Sequence, residues 1–359
     1  MYNRNPIFIN SVLGDYSVNF EKFEFLNAKF SESDVILMDK KFGDIMLIPE
    51  SEKIIRINSG EEAKDIFEVG RVTSLIADLG ATRSSRIVAI GGGSIQDLAT
   101  FVASTYMRGI NWEYYPTTLQ AMADSCIGGK SAINVGIYKN LIGNFYPPRK
   151  VIIDASLIGT LSSEDITCGL VEAIKIAFAI GGGSASTIAE IINSSESLKS
   201  ISCEDYESIV DLSLKSKKYF VEKDEFDQNL RKNLNFGHTY AHAIEASSNF
   251  TVHHGLAVGL GILASFIHRG SEAIEPEEDV IIMAIRKLLM PFKDSLSDSI
   301  GSMDQSDFSR FIQLDKKVTN SSLNFIHAKS GKLQVVSLPK TEATLQSAFN
   351  SVLEALNAI

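Results

Sequence analysis

Two pairs of histidines stand close together in the second half of the chain. His238 and His242 are four residues apart in the stretch NFGHTYAHAIEA, and His253 and His254 follow shortly after it. On a helix, positions i and i+4 lie on one face, so His238 and His242 could both reach one metal ion. A catalytic zinc site uses about three protein ligands and leaves one position open. The third ligand would be His253, His254 or a carboxylate from elsewhere, such as Glu172 in GLVEAIK.

The histidine spacing also excludes one common kind of metal site. HxxxH without a glutamate after the first histidine is not the HExxH pattern of zinc proteases. Any single histidine here is best explained as a hydrogen-bonded core residue. Four of them so close together, with Asn235 and Arg231 one and two turns before His238, favour a functional site instead.

A run of three glycines follows an apolar segment in RIVAIGGGSIQDLATFVAST. The pattern predicts a strand, a turn and a helix. Gly91, Gly92 and Gly93 would let backbone N–H groups approach a phosphate at the helix N-terminus. The spacing is not GxGxxG, so this is not the Rossmann fingerprint. Asp97, in the first turns of the predicted helix, could face the ribose or nicotinamide end of a cofactor. The alternative is a glycine turn that only connects a strand with a helix.

A polar, glycine-rich segment extends from YMRG through PTTLQAMADSCIGGKSAIN to YKNLIGNFYPP. Asp124 and Lys130 lie on either side of a glycine pair, and Lys139 and Asn140 follow. A cation next to glycines can bind an anionic oxygen while the backbone comes close. The segment therefore indicates an anion site, and the alternative is a solvated loop with incidental lysines.

The composition limits both the fold and the partners. The chain has 359 residues, of which 45% are hydrophobic and 22% charged, and this fits two globular domains. Its net charge of −10 argues against a general nucleic-acid or membrane-surface binder, because such proteins carry basic faces. Three scattered cysteines, Cys126, Cys168 and Cys203, predict a reducing compartment without a disulfide framework. The start shows no signal peptide, and LAVGLGILASFI is too short to span a membrane, so we expect a cytoplasmic protein.

Short β-rich segments alternate with helical ones in the first part of the chain. Buried strands are predicted for DVILMD (34–39), DIMLIP (44–49), KIIRIN (53–58), RIVAI (86–90) and KVIID (150–154). This alternation predicts an α/β domain over residues 1–160 with a mainly parallel, Rossmann-like sheet. From LSSEDITCGLVEAIKIAFAI onward, helical spacing dominates, and only LNFIHA and LQVVSL look like strands. Residues 161–359 are therefore predicted to form a helical domain, in which LAVGLGILASFI is a buried helix.

In combination, these motifs resemble those of the 3-dehydroquinate synthases, which belong to the sugar phosphate cyclase superfamily. The matching motifs occur in the family's order and spacing: GGGSIQDLA, YMRG, PTTL, DSCIGGKSAIN, KNLIGNFYPP, GLVEAIK, RKNLNFGHTYAHAIEA and HHGLAVG. The resemblance implies a dehydroquinate synthase-like fold with an NAD-binding first domain and a metal- and substrate-binding second domain. It also implies a cytoplasmic homodimer that uses NAD and a divalent metal, zinc or cobalt.

The resemblance further implies a reaction. The family converts 3-deoxy-D-arabino-heptulosonate 7-phosphate (DAHP) to 3-dehydroquinate and phosphate, in the shikimate pathway of aromatic amino acid biosynthesis. An alcohol is oxidised transiently by NAD, phosphate leaves by β-elimination, the ketone is reduced again, and an intramolecular aldol reaction closes the ring. In this family the departing phosphate is thought to take the proton itself. This explains why no dedicated general base stands out in the sequence.

Individual residues receive roles from the same resemblance. The implied metal ligands are Glu172, His238 and His254, so His242 would contact the substrate phosphate instead of the metal. Arg108 would reach that phosphate across the dimer interface. The other implied substrate contacts are Asp124, Lys130, Lys175, Lys217, Arg231, Asn235 and a lysine of DKK, either Lys316 or Lys317. The implied NAD contacts are Asp39, Glu61, Lys64, Gly91, Gly92, Gly93, Asp97, Thr117, Thr118, Lys139, Asn140 and Thr160.

Three places depart from the family's usual sequence. Leu256 stands where HGEAV has its acid, and loss of that carboxylate could loosen the surroundings of the metal. Ser94 follows the glycines where Val or Leu is usual. Lys40 and Lys41 follow Asp39 where the family has D-x-N, and a lysine there could tolerate an extra phosphate on the cofactor.

Three alternative functions follow from the same residues. One is a cyclase for a different sugar phosphate, although the cluster around GGK has the DAHP type. Another is a metal-dependent NAD polyol or alcohol dehydrogenase, which needs no phosphate anchors. The joint presence of Lys130, Lys217, Arg231 and Asn235 counts against that enzyme. The last is a non-catalytic relative that has kept the fold, which the complete metal and anion sets argue against.

Overall fold

The structure is a computed structural model that describes residues 4–23, 30–31, 33–46, 53–136, 138–270, 272–314 and 322–359. The chain divides into two compact units. The first contains Met1–Ser162 and Lys218–Phe226, and the second contains Ser163–Lys217 and Asp227–Ile359.

A seven-stranded sheet forms the centre of the first unit. Its strands are β1 (Ile7–Ile9), β2 (Tyr16–Phe20), β3 (Val35–Asp39), β4 (Ile54–Ile57), β5 (Arg86–Gly91), β6 (Asn111–Pro116) and β9 (Lys150–Ile153). Two further strands, β7 (Ile133–Val135) and β8 (Tyr138–Ile142), form a separate antiparallel hairpin. The sheet order is β1-β2-β9-β6-β5-β3-β4, and every neighbouring pair except β1 and β2 is parallel. The predicted, mainly parallel sheet is confirmed.

Three helices accompany this sheet: α1 (Lys40–Ile45), α2 (Ile66–Asp78) and α3 (Gly93–Thr105). Helix α2 begins after Asp65, whose side chain accepts a hydrogen bond from the N–H of Phe67 at 2.8 Å. Strand β3 is buried along its whole length, as a parallel strand covered on both faces should be. The predicted strands at 34–39, 53–58, 86–90 and 150–154 are thus confirmed as β3, β4, β5 and β9.

The strand predicted for residues 44–49 is wrong at its beginning. Asp44 and Ile45 are the last residues of α1, and residues 47–49 lie outside the described part of the chain. Helix α1 begins directly after β3 because the side chain of Asp39 accepts a hydrogen bond from the N–H of Lys41 at 2.9 Å. This side-chain cap stabilises a helix start that the apolar run DIMLIP does not reveal.

The second unit is helical. Its helices are α4 (Ser163–Ile180), α5 (Ser184–Ser194), α6 (Cys203–Lys223), α7 (His238–Ser247), α8 (His254–His268), α9 (Pro276–Leu289), α10 (Lys293–Gly301), α11 (Gln305–Leu314) and α12 (Glu342–Asn357). The last residues of α6 group with the first unit. LNFIHA and LQVVSL lie in the antiparallel hairpin β10 (Ser322–Lys329) and β11 (Lys332–Pro339), as predicted.

Helix α8 is the centre of the second unit. It contacts α4, α7 and α12, and all of its residues from Gly255 to Phe266 are buried. The apolar run LAVGLGILASFI is therefore a buried helix, as predicted. Within the described residues, no helix is both long and apolar enough to cross a membrane. Cys126 and Cys168 are buried, Cys203 is exposed, and none of the three is paired in a disulfide.

Candidate metal and cofactor sites

The beginning of α7 is held against α8 by two glycines. Gly237 has a φ of +78°, and a Cβ on it would lie 2.9 Å from the backbone nitrogen of Ile262. A Cβ on Gly261 would lie 2.2 Å from the carbonyl oxygen of Gly237. Only glycines allow this approach of the two backbones. His238, the first residue of α7, is therefore placed by backbone packing between the two helices.

The beginning of α8 is held in a similar way against α4. A Cβ on Gly255 would lie 2.3 Å from the Cα of Cys168. The sulfur of Cys168 accepts hydrogen bonds from the backbone N–H groups of Gly255 and Leu256, while burial raises the pKa of its thiol to about 12. The residue before the helix, His253, provides no side-chain cap of its own. A thiol on α4 thus satisfies N–H groups of the first turn of α8, which begins with His254.

Glu172, His238 and His254 converge from α4, α7 and α8. One ligand atom from each residue lies within 4.8 Å of the other two. The Oε1 atom of Glu172 is 3.8 Å from Nε2 of His238 and 3.4 Å from Nε2 of His254. The arrangement has three possible ligands, as a catalytic metal site with an open position requires.

His242 and His253 lie outside this group. His242 is exposed, and its ring centroid is 5.5 Å from that of His238 and 6.3 Å from that of His254. His253 is 59% exposed, and its Nε2 is 3.7 Å from Oε1 of Glu164. The i, i+4 spacing suggests that His238 and His242 bind one metal ion together. The structure does not place His242 in the group of possible ligands. The ligand set implied by the family resemblance is the one that the structure brings together.

Both imidazoles in the group have their second nitrogen engaged. Nδ1 of His238 donates to the carbonyl oxygen of Phe236 at 3.2 Å, and Nδ1 of His254 donates to Oε2 of Glu245 at 3.1 Å. Both Nε2 atoms therefore point toward Glu172. Burial lowers the pKa of His254, but the nearby carboxylates of Glu172 and Glu245 outweigh it and raise the pKa to about 10. A metal ion must displace that proton in order to bind.

The surroundings of Glu172 fit a divalent cation. Its side chain is 1% exposed, and neither carboxylate oxygen accepts a hydrogen bond of regular geometry. Its nearest cation is Lys175, which is 3% exposed and pairs with Oε2. A buried carboxylate without regular hydrogen bonds is costly unless charge compensates it. One carboxylate and two imidazoles are the ligand types that zinc and cobalt accept.

The predicted substrate contacts of the second unit are mostly buried cations. Lys217 in α6 is 5% exposed, and Arg231 is 3% exposed. Arg231 and Asn235 lie in a 3-10 turn, Leu230–Asn235, that contacts α4 and leads into α7. The Nδ2 atom of Asn235 donates to the carbonyl oxygen of Lys232 at 3.1 Å. Lys316 and Lys317 lie outside the described residues.

Two of the predicted cofactor residues, Asp39 and Gly91, lie at the carboxyl ends of β3 and β5. Asp39 ends β3 and is 8% exposed, and burial raises the pKa of its carboxyl group. A Cβ on Gly91 would lie 2.5 Å from Ile95 and 3.2 Å from the Cβ of Asp39. The glycines after β5 are thus required by close packing as well as by any ligand. The carboxyl ends of neighbouring parallel strands are where α/β sheets bind their ligands.

Three of the predicted cofactor residues, Lys64, Asp97 and Asn140, belong to one polar network. The Oδ2 atom of Asp97 is 3.0 Å from Nζ of Lys64, which donates to Oδ1 of Asn140 at 2.7 Å. Its Oδ1 atom accepts from the N–H of Ala132 at 3.1 Å. Burial raises the pKa of Asp97 to about 6, although the charge of Lys64 lowers it.

Asn134 joins the remaining members of this network, and the sequence analysis assigned it no role. Its Nδ2 donates to Oε2 of Glu61 at 2.9 Å, and its Oδ1 accepts from the N–H of Asn140 at 2.8 Å. Lys139 lies 3.8 Å from the same Glu61 oxygen. Asn140 has a φ of +51°, a conformation that asparagine tolerates better than most residues. The quoted motif SAIN contains Asn134, but only the fold shows which groups it connects.

The GGK and GNFYP segments pack against each other. A Cβ on Gly129 would lie 2.9 Å from the backbone nitrogen of Pro147, and one on Gly143 would lie 2.0 Å from the carbonyl oxygen of Ser131. Lys130 forms a backbone bridge with Phe145, and Lys130 is exposed. The close approach of the two backbones therefore fixes the position from which the Lys130 side chain extends.

The other predicted residues of the first unit are placed as follows. Asp124 lies in a π-helical turn, Ala121–Ser125, whose Ser125 donates to Gln96 of α3 at 2.6 Å. Arg108 is exposed and has a φ of +69°. Each of the three threonines forms a hydrogen bond within the chain. The N–H of Thr117 donates to the carbonyl oxygen of Gly91, and Oγ1 of Thr118 accepts from the N–H of Ala121. Oγ1 of Thr160 donates to the carbonyl oxygen of Leu157.

Comparisons with known proteins identify the family to which the chain is related. Residues 54–168 match the 3-dehydroquinate synthase N-terminal family, and residues 169–318 match the C-terminal family. The 3-dehydroquinate synthase of Dictyoglomus thermophilum is 38% identical over 288 residues, which cover 79% of each chain.

Two solved structures have a similar fold. One is 2-deoxy-scyllo-inosose synthase complexed with carbaglucose-6-phosphate, NAD+ and Co2+, with a TM-score of 0.78, 21% identity and coverage of 98% and 99% of the two chains. The other is 2-epi-5-epi-valiolone synthase from Streptomyces hygroscopicus subsp. jinggangensis 5008 with NAD+ and Zn2+, with a TM-score of 0.75, 19% identity and coverage of 94% and 97%. The fold is that of the sugar phosphate cyclases, as predicted. Within that class, the chain belongs to the 3-dehydroquinate synthase family.

Proposed function

We propose that the protein is a 3-dehydroquinate synthase, a lyase that converts DAHP to 3-dehydroquinate and phosphate with NAD and a divalent metal. The observation that carries this proposal is the convergence of Glu172, His238 and His254 in a chain of this family. The NAD+ and the Co2+ or Zn2+ bound by the two related cyclases support the same cofactors here.

Glu172, His238 and His254 hold the metal in this proposal. When bound, NAD accepts and returns a hydride, and the metal polarises the reacting hydroxyl and carbonyl groups as a Lewis acid. One carboxylate and two neutral imidazoles compensate one of the two positive charges of a divalent ion. The site therefore keeps a net positive charge, which suits a substrate oxygen that gains negative charge during the reaction.

Cationic and polar side chains bind the substrate phosphate and carboxylate and orient the sugar. This set is Asp124, Lys130, Lys175, Lys217, Arg231, Asn235 and His242, with Lys316 or Lys317 as a further member. Because the chain has a net charge of −10, an anionic substrate needs such a local concentration of cations. Burial of Lys175, Lys217 and Arg231 strengthens their attraction for an anion, since water screens them less.

The proton removed during elimination goes to the departing phosphate itself. The anchoring residues hold that phosphate beside the acidic C–H, and proximity within one bound molecule replaces a separate base. Their role is thus to bind and orient, so no further titratable side chain is needed at this step.

NAD binds to the first unit in this proposal. Asp39 would accept hydrogen bonds from a ribose, and the backbone after β5 would bind the pyrophosphate at the N-terminus of α3. The contacts carried over from the family are Asp39, Glu61, Lys64, Gly91, Gly92, Gly93, Asp97, Thr117, Thr118, Lys139, Asn140 and Thr160. The hydrogen-bonded network of Asp97, Lys64, Asn140, Asn134 and Glu61 restrains these side chains, which lowers the conformational entropy that a bound ligand has to order.

We further propose a cytoplasmic homodimer in which Arg108 contacts the phosphate in the partner's site. Met107 and Arg108 both have a positive φ and are exposed, so this arginine is accessible to a partner subunit. A cytoplasmic location is supported by three cysteines that form no disulfide.

The test is an assay of the purified, metal-loaded protein with DAHP and NAD. We expect release of inorganic phosphate and formation of 3-dehydroquinate, without net accumulation of NADH. A polyol or alcohol dehydrogenase would instead accumulate NADH with a simple polyol. Turnover of another sugar phosphate but not of DAHP would overturn the substrate, and no turnover of any of them would overturn the cyclase.

A pair of neighbouring histidines provides a matched test of the ligand set. His254→Ala should lose both the metal and turnover with the fold intact, because it removes one of three ligands. His253→Ala removes an exposed histidine that faces Glu164, so its metal content and turnover should equal those of the wild type. Equal metal contents in the two variants would refute the ligand assignment.

A further inference from the structure

The imidazole of His254 has a different partner on each of its nitrogens. Its Nε2 is 3.4 Å from Oε1 of Glu172, and its Nδ1 is 3.1 Å from Oε2 of Glu245. We propose that Glu245 is a positioning residue, which holds His254 with Nε2 directed at the metal and tunes it as a ligand. This inference rests on the metal site of the proposed function.

The two histidine ligands differ in how their rings are held. Nδ1 of His238 donates to the backbone carbonyl of Phe236, two residues earlier, so the main chain itself orients that ring. His254 depends on a side chain from another helix. It is also the more exposed ligand, with 35% of its side chain accessible against 12% for His238. Because its ring has more freedom, a partner that restrains it has a larger effect.

The fold brings Glu245 to this nitrogen in two steps. His238, His242 and Glu245 occupy positions i, i+4 and i+7, which share one face of α7. The chain then reverses at Asn249 and Phe250, both with a positive φ, and the N–H of Phe250 donates to the carbonyl oxygen of Glu245 at 2.7 Å. This turn returns α8 to the end of α7, so that His254 starts next to Glu245.

The carboxylate has two effects on the ring. By accepting the Nδ1 proton, it selects the tautomer in which Nε2 carries a lone pair for the metal. Its negative charge also makes the imidazole more basic, and hence a stronger ligand. Glu245 is 17% exposed, so water screens this charge only partly.

Three variants separate these effects from a general loss of charge. Glu245→Ala removes both the acceptor and the charge, whereas Glu245→Gln keeps an oxygen that can accept from Nδ1 but carries no charge. Glu164→Gln is the matched control, because Glu164 faces His253, the histidine next to His254 that is not a ligand. Each full-length protein is titrated with Zn2+ against a chromophoric chelator, and the visible spectrum of its Co2+ form is recorded.

We expect Glu245→Ala to bind Zn2+ about 10–100-fold more weakly than the wild type, as removal of a group behind a metal-binding histidine typically does. Glu245→Gln should show a smaller but measurable loss, and Glu164→Gln should show none. At saturating Co2+, the absorption bands of Glu245→Ala should differ from those of the wild type, because the ring is no longer held in one orientation. A merely structural role would leave those bands unchanged.

The possible outcomes separate this inference from the proposed function. If the wild type binds no divalent metal, the metal site itself is wrong. If the wild type binds and His254→Ala does not, while both Glu245 variants keep the affinity and spectrum of Glu164→Gln, then only the role of Glu245 is overturned. Circular dichroism checks the fold. Should Glu245→Ala fail to fold, an unchanged Zn2+ affinity in Glu245→Gln overturns the role.

Discussion

Replacing Lys175 by Met tests the charge balance around Glu172. The two residues form an ion pair in α4 in which the side chains are 3% and 1% exposed. Breaking a buried pair by removing one partner costs about 3–5 kcal/mol. We expect the lower end of this range, about 3 kcal/mol, because Nε2 of His254 stays 3.4 Å from the carboxylate. For a unit of this size, that corresponds to a decrease in Tm of about 6–12 °C.

A divalent metal should remove most of this difference. The ion and Lys175 are both positive and both face Glu172, so in the wild type they repel each other. In Lys175→Met, the ion replaces the missing charge without this repulsion. Metal at about 1,000 times its Kd stabilises a protein by about 4 kcal/mol. We therefore expect Zn2+ to raise the Tm of the variant by more than it raises that of the wild type.

Thermal unfolding followed by circular dichroism, with chelator and with Zn2+, measures both effects. The control is Arg310→Met in the same unit, which breaks an i, i+3 pair with Asp307 whose side chains are 62% and 51% exposed. An exposed pair of this kind contributes about 0–1 kcal/mol, so the Tm of this variant should hardly change. The reasoning is refuted if metal-free Lys175→Met unfolds at the temperature of Arg310→Met.

Three further predictions concern other parts of the fold. Gly255→Ala would place a Cβ 2.3 Å from the Cα of Cys168. The resulting shift of α8 should cost about 2–3 kcal/mol of stability and weaken Zn2+ binding. Burial lowers the pKa of His327 from 6.5 to about 4, and the charges of His268 and Arg269 act in the same direction. The unfolded chain therefore binds more protons below pH 6.5, so the free energy of unfolding should fall as the pH drops from 6.5 toward 4. The full shift corresponds to about 3 kcal/mol, and His327→Gln should reduce this dependence in urea unfolding at pH 7 and pH 5. Asn134→Ala removes the hydrogen bonds to Glu61 and Asn140, and should weaken NAD binding about tenfold in calorimetric titrations without changing Zn2+ affinity.

Each of these predictions has a contrasting result. Gly259→Ala lies one turn further along α8 and approaches only the flexible end of Leu289 at 3.2 Å, so it should be milder than Gly255→Ala. Equal losses in both variants would contradict the account of α8. A wild-type pH dependence in His327→Gln would show that this histidine is not the group responsible. If Asn134→Ala weakened metal binding as much as NAD binding, its effect would be a general disturbance of the fold.

The sheet and helices could be predicted where the local pattern was strong. Strands β3 and β5 are nearly continuous apolar runs, and α8 is a long apolar segment, so burial alone determines them. Residues 44–49 were assigned wrongly at their start, because a short apolar run fits a strand and a buried helix equally well. The side chain of Asp39 decides between them by capping α1. Strands β1 and β2 were not predicted, since β2 pairs with β9, which lies far along the chain, and β1 pairs with β2.

The residues of the candidate metal site could be predicted only in part from spacing. The i, i+4 rule correctly placed His238 and His242 on one face of α7, but sharing a face does not bring both rings to the same centre. That centre is set by α4 and α8, whose contact at Cys168 and Gly255 no local pattern reveals. Residue types and spacing left the third ligand open among His253, His254 and a carboxylate such as Glu172, and the family resemblance selected Glu172 and His254. Glu245 was not predicted, because it lies next to His254 only as a result of the turn at Asn249 and Phe250.

The structure also shows the surroundings of Leu256, which stands where the family resemblance implies an acid. Leu256 is 2% exposed, and its N–H donates to the sulfur of Cys168, so it belongs to the packing between α4 and α8. A carboxylate at that position is not needed to orient His254, because Glu245 already accepts from its Nδ1. The departure is therefore compatible with an intact metal site.

Buried cations argue most strongly for catalysis over a non-catalytic relative. Lys175, Lys217 and Arg231 are each at most 5% exposed, and burying a charge is costly even when it is paired. Apolar residues of similar size would often be neutral or stabilising in their place. In the proposed enzyme these cations have a use, because buried charges that water screens little would attract a phosphorylated acid strongly.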